Sequence, residues 1–173
     1  MSLPLLGQFV GLLALGLCLA AFGSTRDDRL LVILIFANIA FAVQFFLLGG
    51  VVAGTISTLI VLRIWLVRRY KGNARIMAAM LAATVLVAVP GWQGPADAVP
   101  LAAGLIGTFA MFMLRGIPMR VGLAAGAACW MAANYLSGSV GAMVAEALIL
   151  ATNAVTIARM ARAGPGAARD ARA

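Results

Sequence analysis

Few residues in this chain could do chemistry, and they stand inside long apolar runs. Glu146 is the clearest. It sits about seven residues into its segment, roughly 11 Å from the outer end at 1.5 Å per residue. An ionised carboxylate at that depth costs several kcal/mol unless it is paired, hydrated or protonated. Asn153 follows two helical turns later at nearly the same azimuth, with Leu150 between them, so one helix carries a polar stripe suited to a cavity. Glu146 there would tune charge or accept a proton. The plainer alternative is a protonated hydrogen bonder between helices. A second line, Gly122, Gly126, Trp130 and Asn134, recurs every four residues. Its glycines permit close helix approach, while an indole beside an amide suits a planar or polyol solute. Membership of Trp130 in an outer aromatic belt with Tyr135 is the competing reading.

Asn38 and Gln44 are six residues apart, about 240 degrees on a helix, so both cannot face one narrow pocket. One of the two is expected to be helix glue. Arg63 is the one basic residue standing away from the gaps between apolar segments. It either snorkels to the inner interface or serves as an inner gate partnered by Asn153.

Other chemistry lacks its residues. The chain has no His and two Cys, Cys18 and Cys129, each within an apolar run. No metal site or disulfide is indicated, and no cofactor is implied. With one carboxylate inside a span, the acid and base pair of most hydrolytic or transfer enzymes is missing. The chain is therefore not expected to be an enzyme. The formal net charge of +8 needs no nucleic-acid partner, because its placement suits topology and anionic lipid headgroups.

The elements that must hold these residues are membrane helices. Of 173 residues, 64% are hydrophobic and 10% charged, and the mean hydropathy is +1.07. Apolar runs approach the roughly 20 residues that cross a bilayer. Seven spans are expected, at about 4–22, 30–48, 51–70, 75–91, 98–114, 118–136 and 139–160. Apart from Arg63, the Lys and Arg residues lie in or beside alternate gaps and in the tail. Retention of Lys and Arg on the cytoplasmic side puts the N-terminus outside and the C-terminus inside. The first span lacks a preceding Lys or Arg, so it does not read as a cleaved signal peptide.

A shift of 89 positions lays spans two and three on spans six and seven. Leu47, Gly49, Val51, Ala53, Leu59 and Ile60 then meet Leu136, Gly138, Val140, Ala142, Leu148 and Ile149, and Phe41 meets Trp130. The expected fold is all-α and polytopic: seven transmembrane helices as two parallel three-helix repeats joined by a linker helix. The divisions are 1–71 for the first repeat, 72–97 for the linker, 98–162 for the second repeat and 163–173 for a disordered cytosolic tail. Solute sites in such folds lie between the halves. Gly49, Gly50, Gly138 and Gly141, at the outer turns, are hinge candidates.

The run Phe45-Phe46-Leu47-Leu48-Gly49 with Ala53-Gly54 and Arg63 belongs to a larger pattern. It continues through Gly116 to Arg120, Cys129-Trp130, Asn134, Gly138-Ser139, Glu146, Asn153 and Arg159. Together these residues resemble the YgjV family of bacterial inner-membrane proteins, with Gln44 and Ala133 standing where His is expected. The resemblance implies a bacterial inner-membrane location and supplies no activity. More remotely, the plan is similar to SWEET facilitators, PnuC transporters and the KDEL receptor, an architectural analogy that does not transfer function. The leading expectation is a transporter or facilitator of a small polar, neutral or weakly charged solute, worked by rocking of two bundles. Trp130, Asn134, Glu146, Asn153, Gln44 and Asn38 are its candidate ligand contacts. The rival is a non-transporting receptor or assembly factor that binds a peptide, lipid or partner helix. The bilayer is the expected partner, and an oligomer is compatible with either reading.

Overall fold

The computed structural model describes residues 3–47, 51–92, 94–136 and 140–163. The described residues form seven α-helices and no strand: α1 Leu3–Gly23, α2 Asp27–Leu47, α3 Val51–Tyr70, α4 Ala74–Ala88, α5 Ala98–Met113, α6 Gly116–Leu136 and α7 Val140–Arg162. These helices fall on the seven expected segments within a few residues.

Their ends follow from local chemistry. Asp27 and Asp28 occupy the first turn of α2, where carboxylates favour the positive end of the helix dipole. Gly72 turns the chain between α3 and α4 at φ 86°, a left-handed conformation that suits a residue without Cβ. Asn73 then caps α4 by accepting the backbone N–H groups of Arg75 and Ile76 at 3.0 and 3.2 Å, the preferred role of Asn at this position. α4 is the shortest helix. It gives way to a single tight turn, Val89–Gly91, at Pro90, whose ring cannot donate to the helical ladder. A second such turn, Pro95–Asp97, leads into α5.

α2 packs between α1 and α3, and α6 packs between α5 and α7. The two groups meet along α1 with α7 and along α3 with α5, while α4 lies on α5 and touches α3. Small residues set the closest approaches. A Cβ on Gly122 would stand 2.5 Å from the Cβ of Ala110, and one on Gly126 would stand 3.4 Å from the Ala103 carbonyl oxygen. The glycine line of α6 is therefore what brings α5 close.

The core contains Ala21, Leu30, Ala37, Ile64, Val67, Phe112 and Met119 without exposure. Large apolar side chains also cover the outside, among them Phe9, Leu12, Phe36, Trp65, Leu86, Val144 and Val155. Helices that are apolar on several sides suit a lipid surrounding. Two segments, Leu5–Gly23 and Met143–Arg162, are long and apolar enough by themselves to cross a bilayer, whereas α4 and α5 are apolar but shorter.

Candidate solute-binding site

A cavity of about 290 Å³ opens between α3, α4, α5 and α6. Helix α3 contributes Leu59, Ile60 and Arg63, α4 contributes Thr84, α5 contributes Leu101 and Gly104, and α6 contributes Trp130. Trp92 and Asp97, in the connection between α4 and α5, also line it. The walls are mostly apolar with few polar groups, which is the usual makeup of a small-molecule site.

Arg63 supplies the positive charge. Its Nη1 donates to the Gly104 carbonyl at 3.3 Å and to Thr108 Oγ1 at 3.2 Å. Thr108 is fixed in turn, donating its hydroxyl to the Gly104 carbonyl at 2.7 Å. Nε of Arg63 is buried and has no hydrogen-bond partner among the described residues. Gly104 makes this arrangement compact, since a Cβ there would stand 3.1 Å from Thr84 Cγ2. The Thr84 hydroxyl donates back to the Met80 carbonyl of its own helix at 2.8 Å, so it presents lone pairs rather than its proton to other groups.

The structure thus brings Arg63 and Trp130 to one cavity, and Asn153, Glu146, Asn38 and Gln44 lie outside its lining. Asn153 is buried and donates Nδ2 to the Arg120 carbonyl at 2.8 Å. The expected pairing of Arg63 with Asn153 is not formed. Its physical reason is packing: α3 meets α5, whereas α7 meets α1 and α6, so the two residues serve different seams. Glu146 is half-buried on α7 and lies outside the cavity lining. It does not share the cavity of Trp130. Asn38 donates Nδ2 to the Leu34 carbonyl of its own helix at 2.8 Å. The Gln44 amide packs over Gly11, where an added Cβ would collide with it. Both Asn38 and Gln44 lie outside the cavity lining. Gly49, Gly50 and Gly138 lie outside the described residues, as does the side chain of Asn134, and Gly141 is placed only by its backbone in the first turn of α7.

A second polar cluster ties together the helix ends that carry most of the basic residues. Arg120, without exposure, donates Nη1 to the Phe22 carbonyl at 3.2 Å and Nη2 to the Ser24 carbonyl at 2.6 Å. A guanidinium at these last carbonyls of α1 satisfies acceptors the helix leaves open and complements its dipole. Nε of Arg120 stands 3.9 Å from Asp27 Oδ1, and Asp27 Oδ2 accepts the Gly116 backbone N–H at 2.6 Å. The Gly72 N–H donates to the Phe112 carbonyl at 2.9 Å, joining the α3–α4 turn to the end of α5. Lys71 Nζ donates to Met119 Sδ at 3.3 Å. Burial pushes the Lys71 ammonium down to about 8, with Asp27 opposing the fall and Arg115 adding to it. At the exposed edge, Arg68 donates Nε and Nη2 to Asp28 Oδ1 at 3.0 and 2.9 Å.

Sequence reasoning treated Arg120 as an ordinary gap charge, gave Asp27 no role, and missed this cluster. A signal was present: Arg120 stands one turn inside α6, where a charge needs partners.

Comparisons with known proteins come to the same kind of molecule. The Imp-YgjV family, described as a bacterial inner membrane protein, matches residues 5–164. Inner membrane protein YgjV of Escherichia coli (strain K12) is 27% identical over 157 residues, covering 91% of this chain and 85% of that protein. No solved structure matches the chain.

Proposed function

The chain belongs to the Imp-YgjV family of bacterial inner membrane proteins, and from that premise we propose that it is a transporter or facilitator of a small polar, neutral or weakly charged solute. The observation that carries this reading is the cavity lined by Arg63 of α3 and Trp130 of α6, helices from the two packed groups. A site on such a seam changes shape when one group tilts against the other, as alternating access requires.

The proposed architecture is seven spans arranged as three, one and three, with the N-terminus outside and the C-terminus cytoplasmic. Helix starts support a repeat of 89 residues: Asp27 of α2 corresponds to Gly116 of α6, and Val51 of α3 to Val140 of α7. Packing follows the same exchange, since α1 against α7 becomes α5 against α3. In this orientation Trp92 and Asp97 mark the outer end of the cavity, and the Arg120 and Asp27 cluster closes the inner ends of the helices. Solute would enter from the outer side and leave when the inner cluster separates.

Reconstituted vesicles test the reading. Swelling of proteoliposomes in glycerol, ribose, benzamide and benzoate should reveal protein-dependent flux of at least one solute, reduced severalfold in Trp130→Ala. Identical rates in protein-containing and empty vesicles for the whole panel would remove the transporter reading.

A further inference from the structure

We propose that the cavity at Arg63 selects a ring-bearing solute with a single carboxylate. This rests on the solute-site reading above and narrows it to a substrate class.

The Arg63 charge is incompletely partnered. Among the described residues, the hydrogen bonds of Arg63 go to two neutral oxygens, both from Nη1, and Nε has no partner. A guanidinium carries five donors in a planar fork. Held among helices with weak partners, it bears a desolvation cost that an anion would offset. A carboxylate matches the fork, two oxygens against two parallel N–H groups, and charge-assisted pairs of this kind are shorter and stronger than neutral ones.

The walls define the remainder of the ligand. Trp92 and Trp130 line the same cavity, as do Leu59, Ile60 and Leu101. Aromatic and aliphatic walls favour a flat ring, which gains from offset or edge-to-face contact with indole. The volume, about 290 Å³, holds on the order of ten waters, so the ring is small. Asp97 lines the same cavity, and its carboxylate disfavours a second negative charge on the solute. One anionic group at Arg63 and none toward Asp97 is the arrangement the cavity accommodates.

The experiment compares benzoate, benzamide and benzylammonium, which share a ring and differ in charge. Binding to the full-length protein in nanodiscs is measured by calorimetry at one pH and salt concentration. Benzoate is expected to bind about tenfold or more tightly than either of the others. Arg63→Gln should bring benzoate to the level of benzamide, and Arg63→Lys should keep part of the preference. If benzamide binds as well as benzoate in the wild type and loses binding in Trp130→Ala, the solute site stands and the carboxylate assignment falls. A benzoate preference that survives in a folded Arg63→Gln variant also overturns the assignment. Binding of none of the three removes both the assignment and the site.

Discussion

The carboxylate of Asp27 accepts the backbone N–H of Gly116 at 2.6 Å, across 89 residues of chain. The pair joins the first residue of α2 to the first residue of α6, the two helices at the centres of their groups. Gly116 has φ 60°, a left-handed conformation that lets its N–H turn toward Asp27. The same carboxylate faces Arg120, whose other two nitrogens hold the end of α1. One side chain therefore connects the helix starts and a buried cation.

Replacing Asp27 should release that connection. Asp27→Ala leaves the Arg120 charge with only carbonyl partners and the Gly116 N–H with none. Because Asp27 keeps 15% exposure and its distance to Arg120 is 3.9 Å, the expected loss is about 1–3 kcal/mol. It is measured by thermal or denaturant unfolding in micelles, and an unchanged transition would show that the contact contributes nothing.

Close packing between α5 and α6 gives a paired prediction. Gly122→Ala sets a methyl 2.5 Å from the Ala110 Cβ, and the overlap should destabilise the protein by about 1–3 kcal/mol. Adding Ala110→Gly removes the opposing methyl, so the double variant should recover most of the loss in the same unfolding assay. Equal losses in single and double variants would mean that a different contact limits this approach.

Lys71 makes stability depend on pH in a defined direction. Its ammonium falls to about 8 in the folded protein, against about 10.4 when unfolded. Between those values the unfolded state binds more protons, so stability rises with pH. The penalty for burying the charge is complete below about 8 and relieved as pH approaches 10.4. Melting curves at pH 7 and 9.5 should show a gain in the wild type that Lys71→Met lacks. Parallel pH responses of the two proteins would exclude Lys71 as the source.

Thr108 positions the Arg63 guanidinium, so Thr108→Val should loosen it without removing its charge. Solute binding is expected to weaken severalfold while the protein still folds. Thr108→Ser, which keeps the hydroxyl, should restore binding. Equal affinity in Thr108→Val and wild type would show that the hydroxyl does not position Arg63.

Helix number and boundaries were legible because the apolar runs and their polar gaps are strong, long-range signals. A close helix approach along α6 was legible in the spacing of Gly122 and Gly126, but not that α5 makes it. Arg63 stood out because it interrupts an apolar segment, and Trp130 because an indole so deep is unusual. Partners were not legible. Azimuth along one helix places Glu146 and Asn153 on a shared face, yet it cannot say which neighbour that face meets. In the structure Asn153 of that face donates to the Arg120 carbonyl of α6, while Arg63 donates to Gly104 and Thr108 of α5. Arg120 was hidden for a related reason: a basic residue near a helix end serves topology equally well whether its side chain meets solvent or the carbonyls of α1.

Cysteine accessibility tests most directly whether the cavity on the seam between the helix groups is solvated. In a chain with Cys18 and Cys129 replaced by Ala, single cysteines are placed at Thr84, which lines the cavity, and at its neighbour Val85, which is 38% exposed and outside the cavity lining. A membrane-impermeant maleimide applied to reconstituted vesicles should label Thr84→Cys, with benzoate slowing the reaction, and leave Val85→Cys largely unmodified. Labelling of Val85→Cys at the same rate, or no labelling of Thr84→Cys from either side of the membrane, would contradict the account.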